Sequence, residues 1–205
     1  NGKAKSILDP ADNINLFGKH EWSPDGRSFF FCRRKDDDGI TKIICRNIET
    51  GKERVLYESA HRLHVSLSPD GEFLAVITRS FNPSLSIVKV SGENPKELFG
   101  FTRDDRIMLG TAGSCSWSRD GKYVLFALWD AKLEHPEWEL CRIDAGGGEI
   151  EKLGMKMKFR GFTNLNVNPD GKHISFSSIS RPVTPALWVM EDFLPSEIKS
   201  DAKNQ

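Results

Sequence analysis

Short apolar runs alternate with polar turns along the whole chain, and nothing has the spacing of a long amphipathic helix. Four segments alternate apolar or aromatic residues with small or polar ones: His20-Glu21-Trp22, Val65-Ser66-Leu67, Cys115-Ser116-Trp117 and Leu165-Asn166-Val167. Each is followed by a turn signal and then by a denser apolar run: Phe29 to Cys32, Phe73 to Ile77, Tyr123 to Phe126 and Ile174 to Phe176. Alternation of period two predicts strands, so each unit opens with a hairpin. Further strands are expected at Lys42 to Ile48, Leu85 to Val90, Trp138 to Ile143 and Leu187 to Met190. Fourth strands are expected at Glu53 to Tyr57, Lys96 to Phe99 and Ile150 to Leu153.

The turns themselves repeat. Ser23-Pro24-Asp25-Gly26, Ser68-Pro69-Asp70-Gly71, Ser118-Arg119-Asp120-Gly121 and Asn168-Pro169-Asp170-Gly171 are spaced by 45, 50 and 50 residues. Pro pre-sets φ for a turn, Asp bonds its own backbone, and Gly accepts positive φ. Four antiparallel strands per period of this length predict an all-β fold: a β-propeller of about four four-stranded blades. Residues 1–194 form one propeller or propeller fragment, and 195–205 a polar tail. Asn1 to Leu8 matches Thr50 to Tyr57 in pattern, so the opening segment is expected to complete the last blade and remove an exposed edge.

The Trp-Ser-Pro-Asp-Gly pattern followed by an apolar strand resembles the repeats of TolB-like β-propellers, over nearly the whole chain from Gly2 to Phe193. Leu187 to Pro195 also looks like the end of bacterial proteins of this type. Departures are Arg119 in place of Pro, Asn168 in place of Ser, and the low blade count. The resemblance implies the C-terminal portion of a larger bacterial propeller and a location in the periplasm or cell envelope. Such blades occur in accessory proteins, in lyases and in the propeller halves of peptidases. A single small ring, a homodimer completing a larger ring, and a fragment of a longer propeller are three ways to accommodate the count.

Composition narrows the function. The 205 residues carry 29 Lys+Arg against 29 Asp+Glu. That balance lacks the basic surplus of a general nucleic-acid binder. No run of about 18 apolar residues is present for a membrane span. No apolar h-region follows Asn1 to Lys5, although a mature secreted protein would look the same. Four cysteines without a Cys-x-x-Cys pair point to neither a disulfide scaffold nor structural zinc. If Asp38-Gly39 forms a two-residue turn, Cys32 falls opposite Cys45, as two reduced thiols.

No Gly-x-Ser-x-Gly nucleophile motif occurs, and the acidic run Asp36 to Asp38 lacks the spaced ligands of a calcium loop. No catalytic residue, cofactor or metal site is therefore assigned. The polar inner-strand set Lys19, His64, Ser114 and Asn164 is expected to ring one channel mouth, with a second polar set, Glu21, Ser66, Ser116 and Asn166, two residues on. Trp22 and Trp117 are expected in the core. Trp129 and Trp138 flank the longest inter-strand loop and are the candidate contacts for a partner. The expected function is a non-catalytic interaction module for a protein partner. The alternative is a carbohydrate-active lyase or hydrolase, or a glycan binder, with its site at the channel mouth.

Overall fold

The computed structural model describes residues 14–35, 39–92, 95–110, 114–134, 137–158, 161–180, 184–191 and Phe193. Four antiparallel sheets follow one another as blades of a four-blade β-propeller. Blade 1 holds β1 (Ile14–Trp22), β2 (Ser28–Lys35), β3 (Thr41–Asn47) and β4 (Glu53–Ser59) in that order. Blade 2 holds β5 (Arg62–Leu67), β6 (Phe73–Arg79), β7 (Ser84–Lys89) and β8 (Lys96–Gly100). In blade 3 the inner strand is split: β9 (Ile107–Leu109) and β10 (Cys115–Trp117) share β11 (Tyr123–Asp130), followed by β12 (Trp138–Asp144) and β13 (Glu151–Met157). Blade 4 shows β14 (Gly161–Val167), β15 (His173–Ser180) and β16 (Thr184–Glu191). The strand expected from the opening residues, and the polar tail 195–205, lie outside the described residues.

The repeated tetrapeptide folds by its own hydrogen bonds. In blade 1 the Gly26 N–H donates to the Ser23 carbonyl at 2.8 Å. The Ser23 hydroxyl donates to Asp25 Oδ1 at 2.5 Å and accepts the Ser28 N–H at 2.8 Å, while Asp25 also accepts the Arg27 N–H at 3.0 Å. Gly26 takes φ +69°, the left-handed residue that closes such a hairpin. The same bonds recur around Ser68 and Ser118. In blade 4 Asn168 replaces the serine, and Asp170 takes over the N–H of His173 at 3.1 Å.

The blades pack in chain order, β5 against β1, β10 against β5 and β14 against β10. Alternation along the second strands explains their continuous apolar runs, since both faces are covered. Leu74 and Val76 of β6 join Phe30, Cys32 and Val65 between blades 1 and 2. Ala75 and Ile77, on the other face, join Cys115, Trp117 and Phe126 between blades 2 and 3. Leu125 and Ala127 of β11 then meet Phe162, Leu165 and Phe176 between blades 3 and 4.

The junction of blade 4 with blade 1 differs. Among the described residues, the Lys19 ammonium donates to the Leu165 carbonyl across it. A Cβ on Gly71 would meet Pro24, one on Gly121 Pro69 and one on Gly171 Arg119; one on Gly26 would meet nothing within 4 Å. Trp22 shows the consequence and corrects its expected place in the core. The equivalent Trp117 is 5% exposed, and its indole N–H donates to the Ser66 carbonyl of the blade before at 2.9 Å. Trp22 has no such neighbour on that side among the described residues, where it is 56% exposed, packed on Phe29 at 5.0 Å.

The expected pairing of Cys32 with Cys45 is also corrected. Cys32 stands opposite Ile43, and Cys45 opposite Phe30. The last pair of this hairpin is Arg34 with Thr41, so a six-residue connection replaces the tight Asp38-Gly39 turn and the register slips by two. A slip of two keeps every side chain on its face, and both thiols are free.

Candidate functional site

At the turn end of the blades, the four inner strands converge on a bowl of about 400 Å³. Lys19, Glu21, Ser66, Ser116 and Asn166 line it, with Arg119 at the rim. β-bulges decide which side chains arrive there. In β1 the register shifts between Phe17 and Glu21, where Gly18 takes φ +74°. In β14 it shifts between Thr163 and Asn166, and Asn164 takes φ +54°. Such bulges re-aim side chains at sheet edges and near binding sites. β5 runs without interruption from Arg62 to Leu67.

The four residues expected to ring the mouth therefore occupy four environments. Lys19 is half-buried and lines the bowl. His64 is 3% exposed, and neither ring nitrogen has a partner among the described residues. Ser114 is buried, its hydroxyl likewise without a described partner. Asn164 is exposed, and its carbonyl accepts from the Asn166 amide at 3.0 Å. The continuous ring around the bowl is made by the second polar set, Glu21, Ser66, Ser116 and Asn166.

Burial governs the charges there. It pulls the Lys19 ammonium below the ordinary lysine value, with Glu21 opposing. It pushes the Glu21 carboxyl up, with Lys19, the Ser66 hydroxyl and the Leu67 amide pulling back. Ser116 is held in place by accepting the Val167 N–H at 3.1 Å. Behind Lys19, burial pushes the Cys115 thiol up to about 12, which keeps it protonated and inert as a nucleophile. Among the described residues, no three His, Cys, Asp or Glu side chains converge as metal ligands.

No protein-family model matches the chain. An uncharacterized protein from Agrobacterium fabrum is 27% identical over 168 residues, covering 77% of this chain and 53% of that protein. TolB from Acinetobacter baumannii superposes with a TM-score of 0.67 at 19% identity, over 92% of this chain and 43% of that one. The chain has the fold of a TolB-like β-propeller. Oligogalacturonate lyase from Vibrio parahaemolyticus shares the architecture at a TM-score of 0.62 and 15% identity, over 85% of this chain and 49% of that one. The chain thus spans about half the length of the curated relative it matches, and less than half of that TolB.

In this TolB-like propeller the tryptophans of the long loop separate. Trp138 is 1% exposed inside the blade 3–blade 4 core, its ring 6.3 Å from Phe162. Trp129, its cross-strand partner, is half-buried and pairs on its other side with Met108. His135 and Pro136 of that loop lie outside the described residues. No helix among the described residues is long and apolar enough to cross a membrane.

Proposed function

We propose that the chain is a non-catalytic interaction module that engages a protein partner through the turn-side bowl. One observation carries this reading. A cation, a carboxyl group, two hydroxyls and an amide surround a concavity of about 400 Å³ where all four blades meet. Backbone N–H and C=O groups of a peptide find donors and acceptors there, and the half-buried Lys19 and Glu21 supply directional selectivity. Trp129, at the opposite end of its blade, offers a separate contact surface. A bacterial envelope location belongs to the same reading, and fractionation of the native host tests it.

The experiment is capture of partners by the wild-type chain and by Lys19→Met and Glu21→Gln. A protein retained by wild type, lost from both variants and competed off by free wild-type chain is the expected result. An unchanged set of retained proteins overturns the assignment to the bowl. Sedimentation at several concentrations tests the homodimer against the 23.1 kDa monomer mass.

A second reading, a carbohydrate-active enzyme, is favoured by His64, a buried imidazole on an inner strand with no described partner. The oligogalacturonate lyase of like fold suggests the substrate to try. Appearance of an unsaturated product from oligogalacturonate, abolished in His64→Ala, is the result this reading requires.

A further inference from the structure

Three blade junctions are built to one plan, and the two halves of a fourth stand open. In each junction the second residue of one turn lies against the glycine of the next: Pro24 against Gly71, Pro69 against Gly121 and Arg119 against Gly171. Pro169 and Gly26 are the two ends of this series, and a Cβ on Gly26 would meet nothing within 4 Å.

The apolar halves repeat the pattern. Between blades 2 and 3, Leu85 and Ile87 of β7 are buried in one cluster with Trp117 and Phe126. Register makes Leu187 and Val189 of β16 their counterparts. Ser66 aligns with Ala75 and Ile87 across blade 2, as Asn166 aligns with Ser175 and Val189 across blade 4. Yet Leu187 is 76% and Val189 68% exposed. On blade 1 the counterpart of Trp117 is Trp22, and the exposed Leu16 and Val55 share its face by register. Apolar side chains of this size, left open at both ends of one series, mark an interaction surface.

We infer that a second copy of this chain completes the open junction, packing its blade 4 on blade 1 of the first. This gives a homodimer its contact surface and does not depend on what the bowl binds. In that contact Pro169 covers Gly26, and the Trp22 indole N–H donates to the carbonyl of Asn166, as Trp117 donates to that of Ser66 within one chain. Arg46, beside Phe29, meets Glu191, two residues beyond Val189, so opposite charges face each other. Ser175 and Ser177 stand where blade 2 has Ala75 and Ile77, which makes this junction more polar than the internal ones. That composition suits a contact that forms and dissociates. Because unlike faces meet, the assembly closes as a ring where the rotation completes a circle and otherwise extends.

Sedimentation over rising concentration is expected to show reversible assembly to at least twice the 23.1 kDa monomer mass. Trp22→Arg and Val189→Asp should each weaken it about tenfold or more, since each places a charge at the centre of the contact. Mixed one to one, the two variants should associate again, because the first keeps an intact blade 4 and the second an intact blade 1. Acrylamide quenching of Trp22 should fall as the chain is concentrated, while that of Trp117 stays constant. Both altered side chains are exposed, and an unchanged melting transition in dilute solution verifies each fold; Leu16→Lys and Leu187→Lys stand in where one fails. A monomer at every concentration, wild-type assembly in Trp22→Arg, or variants that stay apart when mixed overturns the inference. Glu21→Gln, inside the bowl, must leave the assembly unchanged, which separates this contact from the bowl and its partner.

Discussion

Gly18 lies against the imidazole of His64. A Cβ built on Gly18 would stand 2.7 Å from Nδ1 of that ring, and the residue's φ of +74° already disfavours a side chain. Gly18→Ala is expected to destabilise the fold by about 2 kcal/mol or more, from left-handed strain plus the clash. The double variant with His64→Ala removes the clash and keeps the strain. Its urea midpoint should show a favourable coupling of about 1 kcal/mol between the two sites.

His64 also sets an acid response. Burial, with Arg79 and Arg62 nearby, lowers its pKa from 6.5 to about 4 in the folded chain. The unfolded chain therefore binds the proton first. Stability from this group is full above about pH 6.5 and falls as the pH drops toward about 4, by roughly 3 kcal/mol in all. The turn carboxylates Asp25, Asp105 and Asp170 are held below their ordinary value, so they lose their contribution at lower pH still. Denaturation midpoints of the wild type should decline across the upper window relative to those of His64→Gln, in which the opposing titrations of Glu21 and His173 remain.

The two equivalent tryptophans should respond unequally. Trp117→Phe deprives the Ser66 carbonyl of its indole donor and thins a packed core, a loss of about 2 kcal/mol. Trp22→Phe should change stability by no more than about 0.5 kcal/mol. Acrylamide should quench Trp22 far more readily than Trp117, as read from single-tryptophan variants.

Blade 4 offers a stabilising change. Asn168 stands where the other three turns place the serine that accepts the N–H five residues on. Asn168→Ser restores that acceptor for His173 and frees Asp170 for the shorter bond to Lys172. A gain of roughly 1 kcal/mol is expected, measured as a shift in the thermal midpoint.

Blade number, strand order and most strand positions were legible because each rests on local chemistry. The Ser-x-Asp-Gly turn closes through its own side chains, and it fixes the register of the hairpin around it. The register of Cys32 was not legible, because Asp36 to Gly39 supports more than one connection length. Nor was the environment of the inner-strand set. Spacing makes Lys19, His64, Ser114 and Asn164 equivalent, whereas the bulges in β1 and β14 and the break between β9 and β10 send them to different depths. Gly18 and Asn164, residue types that accept positive φ, carry the residue-type signals for the two bulges. The exposure of Trp22 depends on a neighbour that a single repeat cannot report.

The Lys19 tie to Leu165 gives the ring a clasp. Three of its seams are sealed by oily surfaces that give way only together, while the fourth is joined, among the described residues, by one ammonium gripping one backbone oxygen. A guest in the bowl would meet the remaining donors of that ammonium, so what fills the centre bears directly on the described tie between first and last blade.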